Sequence, residues 1–221
     1  MRSKLILDLC GGTGAWSKPY KDAGYKVGLI TLPLYDVTKV EIDDERITFL
    51  GQRGNRDVSV RLRRVYGILA APPCTEFSLA NKGAYGTKPD WAAGLVVVEA
   101  CERIIRACML QGTLRFWALE NPVGHLRKFL GRPQYTFEHW WFDENAYTSK
   151  KTDLWGYFTN PIRTVEVAPM HTAADPASNN NVPQWYTVPV PPEYAHLKLN
   201  RAERRAITPS GFAAAFAKAN K

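Results

Sequence analysis

"LILDLCGGTGAWS", residues 5–17, opens the chain with a short apolar run interrupted by one aspartate and then turns at Gly11, Gly12 and Gly14. Glycines placed directly after a strand let the backbone turn sharply and approach a ligand closely. Residues 16–23 are predicted to form a helix that ends at Gly24, and "YKVGLITL", 25–32, reads as a second strand. Strand, glycine turn, helix and strand in that order begin a doubly wound, mostly parallel α/β sheet of the Rossmann-like kind. In such a sheet, ligands bind beyond the carboxyl ends of the strands.

The pattern continues outward from there. Residues 46–64 are expected to form a hairpin turning near Gly54 and Asn55. In its second arm Val58, Val60 and Leu62 alternate with Ser59, Arg61 and Arg63, giving one apolar and one basic face. A buried strand over 65–71 stops at Pro72 and Pro73, and Cys74 follows at once. Leu95, Val98, Cys101, Ile105 and Cys108 recur at helical spacing within 91–111, which places both of those cysteines in the core, and Gly112 ends the helix. "TLRFWALENP", 113–122, is the next strand. From 157 to 204 prolines and "SNNN" mark an extended surface excursion. A last helix opens at Thr208 and Pro209. The chain therefore divides into an α/β unit over 1–156, the excursion over 157–204 and a returning helix over 205–221.

At 221 residues the chain suits one domain. The net charge of +8 and pI near 9.3 favour polyanionic partners. Seven tryptophans exceed what a core of this size requires, so some rings are expected to serve as stacking surfaces. No apolar run approaches the roughly 18 residues of a membrane span. Asp8 makes the opening stretch a buried strand rather than an export signal, and the expected location is the cytoplasm. The four cysteines form no C-x-x-C pair and the four histidines are scattered, so neither disulfides nor a metal site is expected.

Three clusters stand at predicted strand ends: 8–14, 72–78 and 120–122. Singly, each has a plain structural explanation. A glycine turn relieves a bend, a cysteine after prolines is a small buried hydrophobe, and Glu-Asn-Pro ends a strand. Together they resemble a known family. "DLCGGTGAWS", "PPCTEFS", "ENP", "KKTDLWG" (150–156) and "RRAITPSGFAAAFAKA" (204–219) follow, in order, motifs of small DNA cytosine-5 methyltransferases of bacteriophages and prophages.

The resemblance implies S-adenosylmethionine as cofactor and DNA as partner, with the target cytosine flipped from the stack. Cys74 would be the nucleophile, Glu120 a proton donor at N3, and Asn121, Pro73 and Pro122 would line the base pocket. Asp8, Cys10, Gly11, Gly12, Gly14, Trp16, Asp36 and Pro72 would surround the cofactor. Ser78, Lys150, Lys151, Thr152, Arg61 and Arg63 would contact the nucleic acid. A monomer in a bacterial host is the default expectation.

Two departures qualify the likeness. Thr31 and Leu32 stand where the family carries an acid for the ribose, leaving Asp36 as a substitute anchor. The 157–204 interval is shorter than the family's recognition domain, which predicts limited sequence specificity. The basic hairpin either compensates through phosphate contacts or is an edge protected by arginines. Alternative readings are another pyrimidine substrate (RNA or a free nucleotide), a modified donor, or a non-catalytic nucleic-acid-binding protein.

Overall fold

A computed structural model describes residues 4–79, 88–143, 150–167 and 190–221. Its elements, in chain order, are β1 (Leu5–Leu9), α1 (Lys18–Asp22), β2 (Lys26–Ile30), β3 (Tyr35–Ile42), β4 (Arg46–Gly51) and β5 (Val58–Arg61). They continue with β6 (Val65–Ala70), α2 (Trp91–Leu110), β7 (Phe116–Pro122), α3 (Arg127–Leu130), β8 (Tyr135–Glu138), β9 (Lys151–Tyr157), α4 (Arg201–Ala206) and α5 (Ser210–Ala219).

Six strands form one sheet in the order β2-β1-β6-β7-β9-β8. β1, β2, β6 and β7 are mutually parallel, whereas β9 runs antiparallel to both neighbours. The fold is thus α/β with a mostly parallel sheet. Side chains leave its central strands on both faces. Leu7, Ile68 and Leu119 join one core cluster with Val98, Cys101, Ile105 and Cys108 of α2. Ile6, Leu69 and Ala118 join the other, with Tyr20 of α1 and Phe212 and Phe216 of α5. Burial on two faces is why these strands read as near-continuous apolar runs rather than alternating ones.

The expected 46–64 hairpin exists as β4 and β5, but it belongs to a separate antiparallel sheet in the order β3-β4-β5. Strand β3 was not anticipated. Its partly buried residues offer only a weak alternation, and its pairing with β4 is interrupted between Tyr35 and Val40. Helix α1 is shorter than 16–23, with Pro19 in its first turn and Gly24 beyond it at φ +84°. Helix α2 matches its sequence pattern; Asp90 caps it by accepting from the Ala93 N–H at 3.0 Å.

The reversal of β9 positions the site. Its register pairs Glu120 with Leu154, Asn121 with Asp153 and Pro122 with Thr152, so the beginning of β9 lies beside the carboxyl end of β7. Gly156 permits this pairing: it has φ +150°, and a Cβ there would lie 2.1 Å from the Trp117 carbonyl oxygen. At the other end of the chain, α4 straddles the expected 204/205 boundary, and α5 begins at Ser210 rather than Thr208. Tyr20 donates to the carbonyl of Asn220 at 3.2 Å, fastening α5 over α1. Of the expected excursion, 168–189 lies outside the described residues. No described helix is long and apolar enough to cross a membrane.

Candidate active site

The carboxyl ends of four parallel strands meet along one edge. Cys10 N–H donates to the Ile30 carbonyl at 2.7 Å, linking the ends of β1 and β2, and Ala71 N–H donates to Leu9 at 2.9 Å, linking β6 and β1. Beyond β6, the Asn121 side-chain amide donates to the Pro72 carbonyl at 3.0 Å. Val123 N–H donates to Lys151 at 3.0 Å, which adds the start of β9 to the same edge. The three clusters expected at strand ends therefore do converge, and Lys150–Thr152 joins them through the reversed strand.

Cys74 opens a tight turn in which its carbonyl accepts from Phe77 N–H at 3.0 Å and Ser78 N–H at 2.9 Å. His125 N–H donates to Phe77 at 2.7 Å, and Ser78 bridges to Gly124, so the loop after β7 clamps this turn. Gly124 must lack a side chain, because a Cβ there would sit 2.2 Å from the Phe77 oxygen. Pro72 is buried and Pro73 exposed; Cys74 and Ser78 are both partly accessible.

The electrostatics of this corner are shared. Burial pushes the Cys74 thiol above its ordinary value; Lys150 and Arg205 pull it down, and Glu120 pushes it up. Burial likewise raises the Glu120 carboxyl, opposed by Lys150 and reinforced by Asp153. Lys150 Nζ donates to the Arg205 carbonyl at 3.3 Å, tying α4 to the start of β9. A partly accessible thiol, a carboxyl biased toward its protonated form and a cation felt by both thus share one corner. Such a set can combine nucleophilic attack with proton donation.

His139 is buried beside them, its Nε2 lying 3.2 Å from Thr152 Oγ1. Burial and then Lys150 hold its pKa well below the usual imidazole value, keeping it neutral. Thr152 itself is 1% exposed, so its hydroxyl meets His139 and not an external group. Lys151 is mostly exposed, with Glu138 3.7 Å from its ammonium.

The glycine turn lies on the β1 side of the edge. Cys10, Gly12 and Gly14 all have left-handed backbones, at φ 58°, 55° and 74°. Gly11 makes room for Asp8, because a Cβ there would lie 2.2 Å from Asp8 Oδ1. Asp8 is fully buried; its Oδ2 accepts from Ser17 Oγ at 2.5 Å, while Oδ1 has no described hydrogen-bond partner. Burial raises this carboxyl to about 6. Thr31, standing where an acid was expected, accepts from Gly12 N–H at 3.2 Å and so ties the turn to the end of β2. Asp36 lies on β3 and uses Oδ1 to accept from Thr38 N–H and Oγ1 at 2.9 and 2.7 Å.

Two expected site residues stand elsewhere, and a third is enclosed in the core beside the glycine turn. Trp16 is 2% exposed and packs against Phe212 and Phe216, at ring separations of 5.9 and 5.4 Å, which makes it a core residue. Arg61 and Arg63 precede β6, whereas Cys74 follows it, so a strand of roughly 17–20 Å separates them. Leu62 N–H between them donates to Glu45 at 2.8 Å, next to the acidic turn at Asp43 and Asp44. They belong to the amino edge, away from the thiol.

Arg205, His139 and Asp153 were not anticipated. Asp153 and Arg205 lie within the quoted stretches 150–156 and 204–219, but only the β9 register and the return of the C-terminal segment bring them here. No family model matches this chain, and no curated protein matches it in sequence.

Proposed function

We propose that this protein is an S-adenosylmethionine-dependent methyltransferase acting on carbon 5 of cytosine in DNA. The observation that carries the proposal is the Asn121–Pro72 hydrogen bond, which pins the loop carrying Cys74 to the strand carrying Glu120, both groups lying under the influence of Lys150. Carbon 5 of cytosine is a poor nucleophile. A thiolate adding at carbon 6 converts the ring to an enamine and makes carbon 5 reactive. Cys74 forms that bond while Glu120, biased toward its protonated form, donates a proton at N3. Lys150 stabilises the thiolate against the burial that opposes it. Once carbon 5 carries its methyl group, its proton passes to solvent, the sulfur leaves as thiolate and the N3 proton returns to Glu120, which restores both residues.

S-adenosylmethionine, when bound, supplies the electrophilic methyl group. The glycine turn suits its amino-acid end: the backbone at Cys10, Gly12 and Gly14 is left-handed, and Asp8 Oδ1 is buried without a described partner. For the ribose, Asp36 is the remaining acidic candidate. Lys150 acts on Cys74 and Glu120 from the start of β9; Lys151 beside it is mostly exposed and Ser78 is partly accessible.

Duplex DNA carrying 5-fluorocytosine tests this reading. Fluorine cannot leave as a proton does, so the wild-type protein should form a covalent adduct through Cys74, visible by mass spectrometry, and Cys74→Ala should form none. Bisulfite sequencing of DNA from expressing cells reports the modified context. Methyl incorporation into DNA without adduct formation would overturn the addition step. Incorporation into RNA or free nucleotides only would move the substrate away from DNA.

A further inference from the structure

We infer that the amino edge of the six-stranded sheet is a second DNA-binding surface, a row of cations that holds duplex backbone apart from the segment entering the site. The inference goes beyond the function proposed above and does not draw on Cys74. Strands β2, β1, β6 and β7 are neighbours in that order. Each begins at a basic residue: Lys26 is the first of β2, while Lys4, Arg64 and Arg115 immediately precede β1, β6 and β7. The backbone sets them side by side. Lys26 N–H donates to the Lys4 carbonyl at 2.9 Å, Leu5 pairs with both Lys26 and Val65, and Arg115 N–H donates to the Tyr66 carbonyl at 2.8 Å. All four basic residues are exposed.

The charge is segregated along the strands. The residues that follow the same four strands, Thr31, Cys10, Ala71 and Val123, are uncharged. Basic side chains on an outermost strand protect its unpaired edge, but β1, β6 and β7 are paired on both sides, so edge protection does not account for theirs. Among the described residues none of the four forms an ion pair. Lys4 lies over the rings of Tyr66 and Tyr25, 4.1 and 5.4 Å from their centroids, a contact that orients the ammonium and leaves its charge in place. Asp22, the acid nearest to Lys26 in sequence, is taken by Lys18. The acidic turn at 43–45 meets Leu62 and so lies beside Arg61 and Arg63, outside the row.

Neighbouring strands stand about 4.8 Å apart, so the four starts span about 14 Å. A duplex strand advances about 3.4 Å per phosphate, which sets about four phosphates against that length. A line of charge matches a phosphodiester backbone, whereas an anionic bilayer presents a plane. The length of a strand, roughly 17–20 Å, separates the row from Cys74. Duplex lying along the row therefore cannot offer a base to the thiol without wrapping around the sheet. Such a hold adds affinity and reads no bases.

The test uses the full chain and a fluorescent duplex of A·T pairs only, which contains no target cytosine, with anisotropy measured across a salt series. Wild type should bind with a slope of log affinity against log salt of about −3.6, four phosphate contacts at about 0.9 each. Lys26→Gln/Arg64→Gln/Arg115→Gln should reduce the slope by about 2.7 and weaken binding at least about tenfold. Lys39→Gln/Arg53→Gln/Arg56→Gln removes the same charge from exposed positions on the smaller sheet and should leave the slope as in wild type. Each single Gln variant of the row should lower the slope by about 0.9, which decides the matter should the triple variant fail to melt cooperatively. Equal losses in the two triple variants would reduce the effect to net charge and overturn the inference. Loss of binding to phosphatidylglycerol vesicles with the DNA slope unchanged would assign the row to a membrane and overturn it too.

A second arm separates the two surfaces. Wild type joined covalently to an unlabelled 5-fluorocytosine duplex should still bind the labelled A·T duplex. An adduct that no longer binds it would show one surface serving both, ending the inference and leaving the proposed function standing. Failure of wild type to form the adduct would remove the proposed function, and the salt slopes would still decide the row.

Discussion

Asn121 donates its side-chain amide to the Pro72 carbonyl at 3.0 Å, joining the strand that carries Glu120 to the loop that carries Cys74. Asn121 is fully buried, so no solvent can replace the bond. Asn121→Ala strands a buried carbonyl and is expected to cost about 1–3 kcal/mol of stability. Urea unfolding measures this, and a loss well under 1 kcal/mol would show that the two elements hold together without the bond. Methyl transfer by the same variant should fall by more than its folded fraction explains, because the thiol and the carboxyl lose their common tether.

Lys150 lowers both the Cys74 thiol and the Glu120 carboxyl. Lys150→Met removes that influence, so both groups should move further up. Alkylation of Cys74 by iodoacetamide, followed peptide by peptide in the mass spectrometer, reads the thiolate fraction against pH. Wild type should show an inflection above the ordinary thiol value of about 8.5. The variant's inflection should lie higher still. An inflection that stays put or falls would mean that Lys150 does not act on the thiol.

What the sequence disclosed depended on the range of the interaction. The Leu5–Leu9 strand and its glycine turn, the α2 stripe through Cys101 and Cys108, and the β4–β5 alternation are local, and each was readable from residue spacing. The thiol at the end of β6 was equally visible, since prolines must stop a strand there. Strand β3 was hidden because its residues are mixed in burial and one strand carries little pattern alone. Arg61 and Arg63 read as basic whichever edge they occupy; only the strand order assigns them to the amino edge. Arg205 reaches the site through the return of the C-terminal segment, a contact that no short window of sequence contains.

Asp153 is fully buried on β9, opposite Asn121. Arg127 holds it with two bonds, Nε to Oδ2 at 2.7 Å and Nη2 to Oδ1 at 2.6 Å, and Thr136 Oγ1 donates to Oδ1 at 2.7 Å. Asp153 is the buried member of this pair and Arg127 is 41% exposed, so solvent screens part of the loss and Arg127→Ala should cost about 1–3 kcal/mol. Arg127→Met/Asp153→Asn should recover part of that loss, since no buried charge then remains. Chemical unfolding of the two variants decides; equal losses would mean that Arg127 contributes packing rather than charge.

Asp8 ties folding stability to pH. Burial raises its folded-state value to about 6, against about 3.9 in an unfolded chain. Below pH 4 both states are protonated and the carboxyl imposes no charge penalty. Between pH 4 and 6 the unfolded chain releases its proton first, so folding stability falls as pH rises, by at most about 3 kcal/mol. Asp8→Asn keeps an acceptor for Ser17 and carries no charge. It should therefore flatten this fall and leave the protein more stable than wild type by about 1–3 kcal/mol at pH 7. Urea titrations of both proteins at pH 4, 5, 6 and 7 measure the difference, and parallel curves would show that Asp8 is not held at a raised value. If the glycine turn holds the cofactor as proposed, the same variant should bind S-adenosylmethionine more weakly in calorimetry. The buried charge then persists because ligand binding uses it, at a standing cost to the fold.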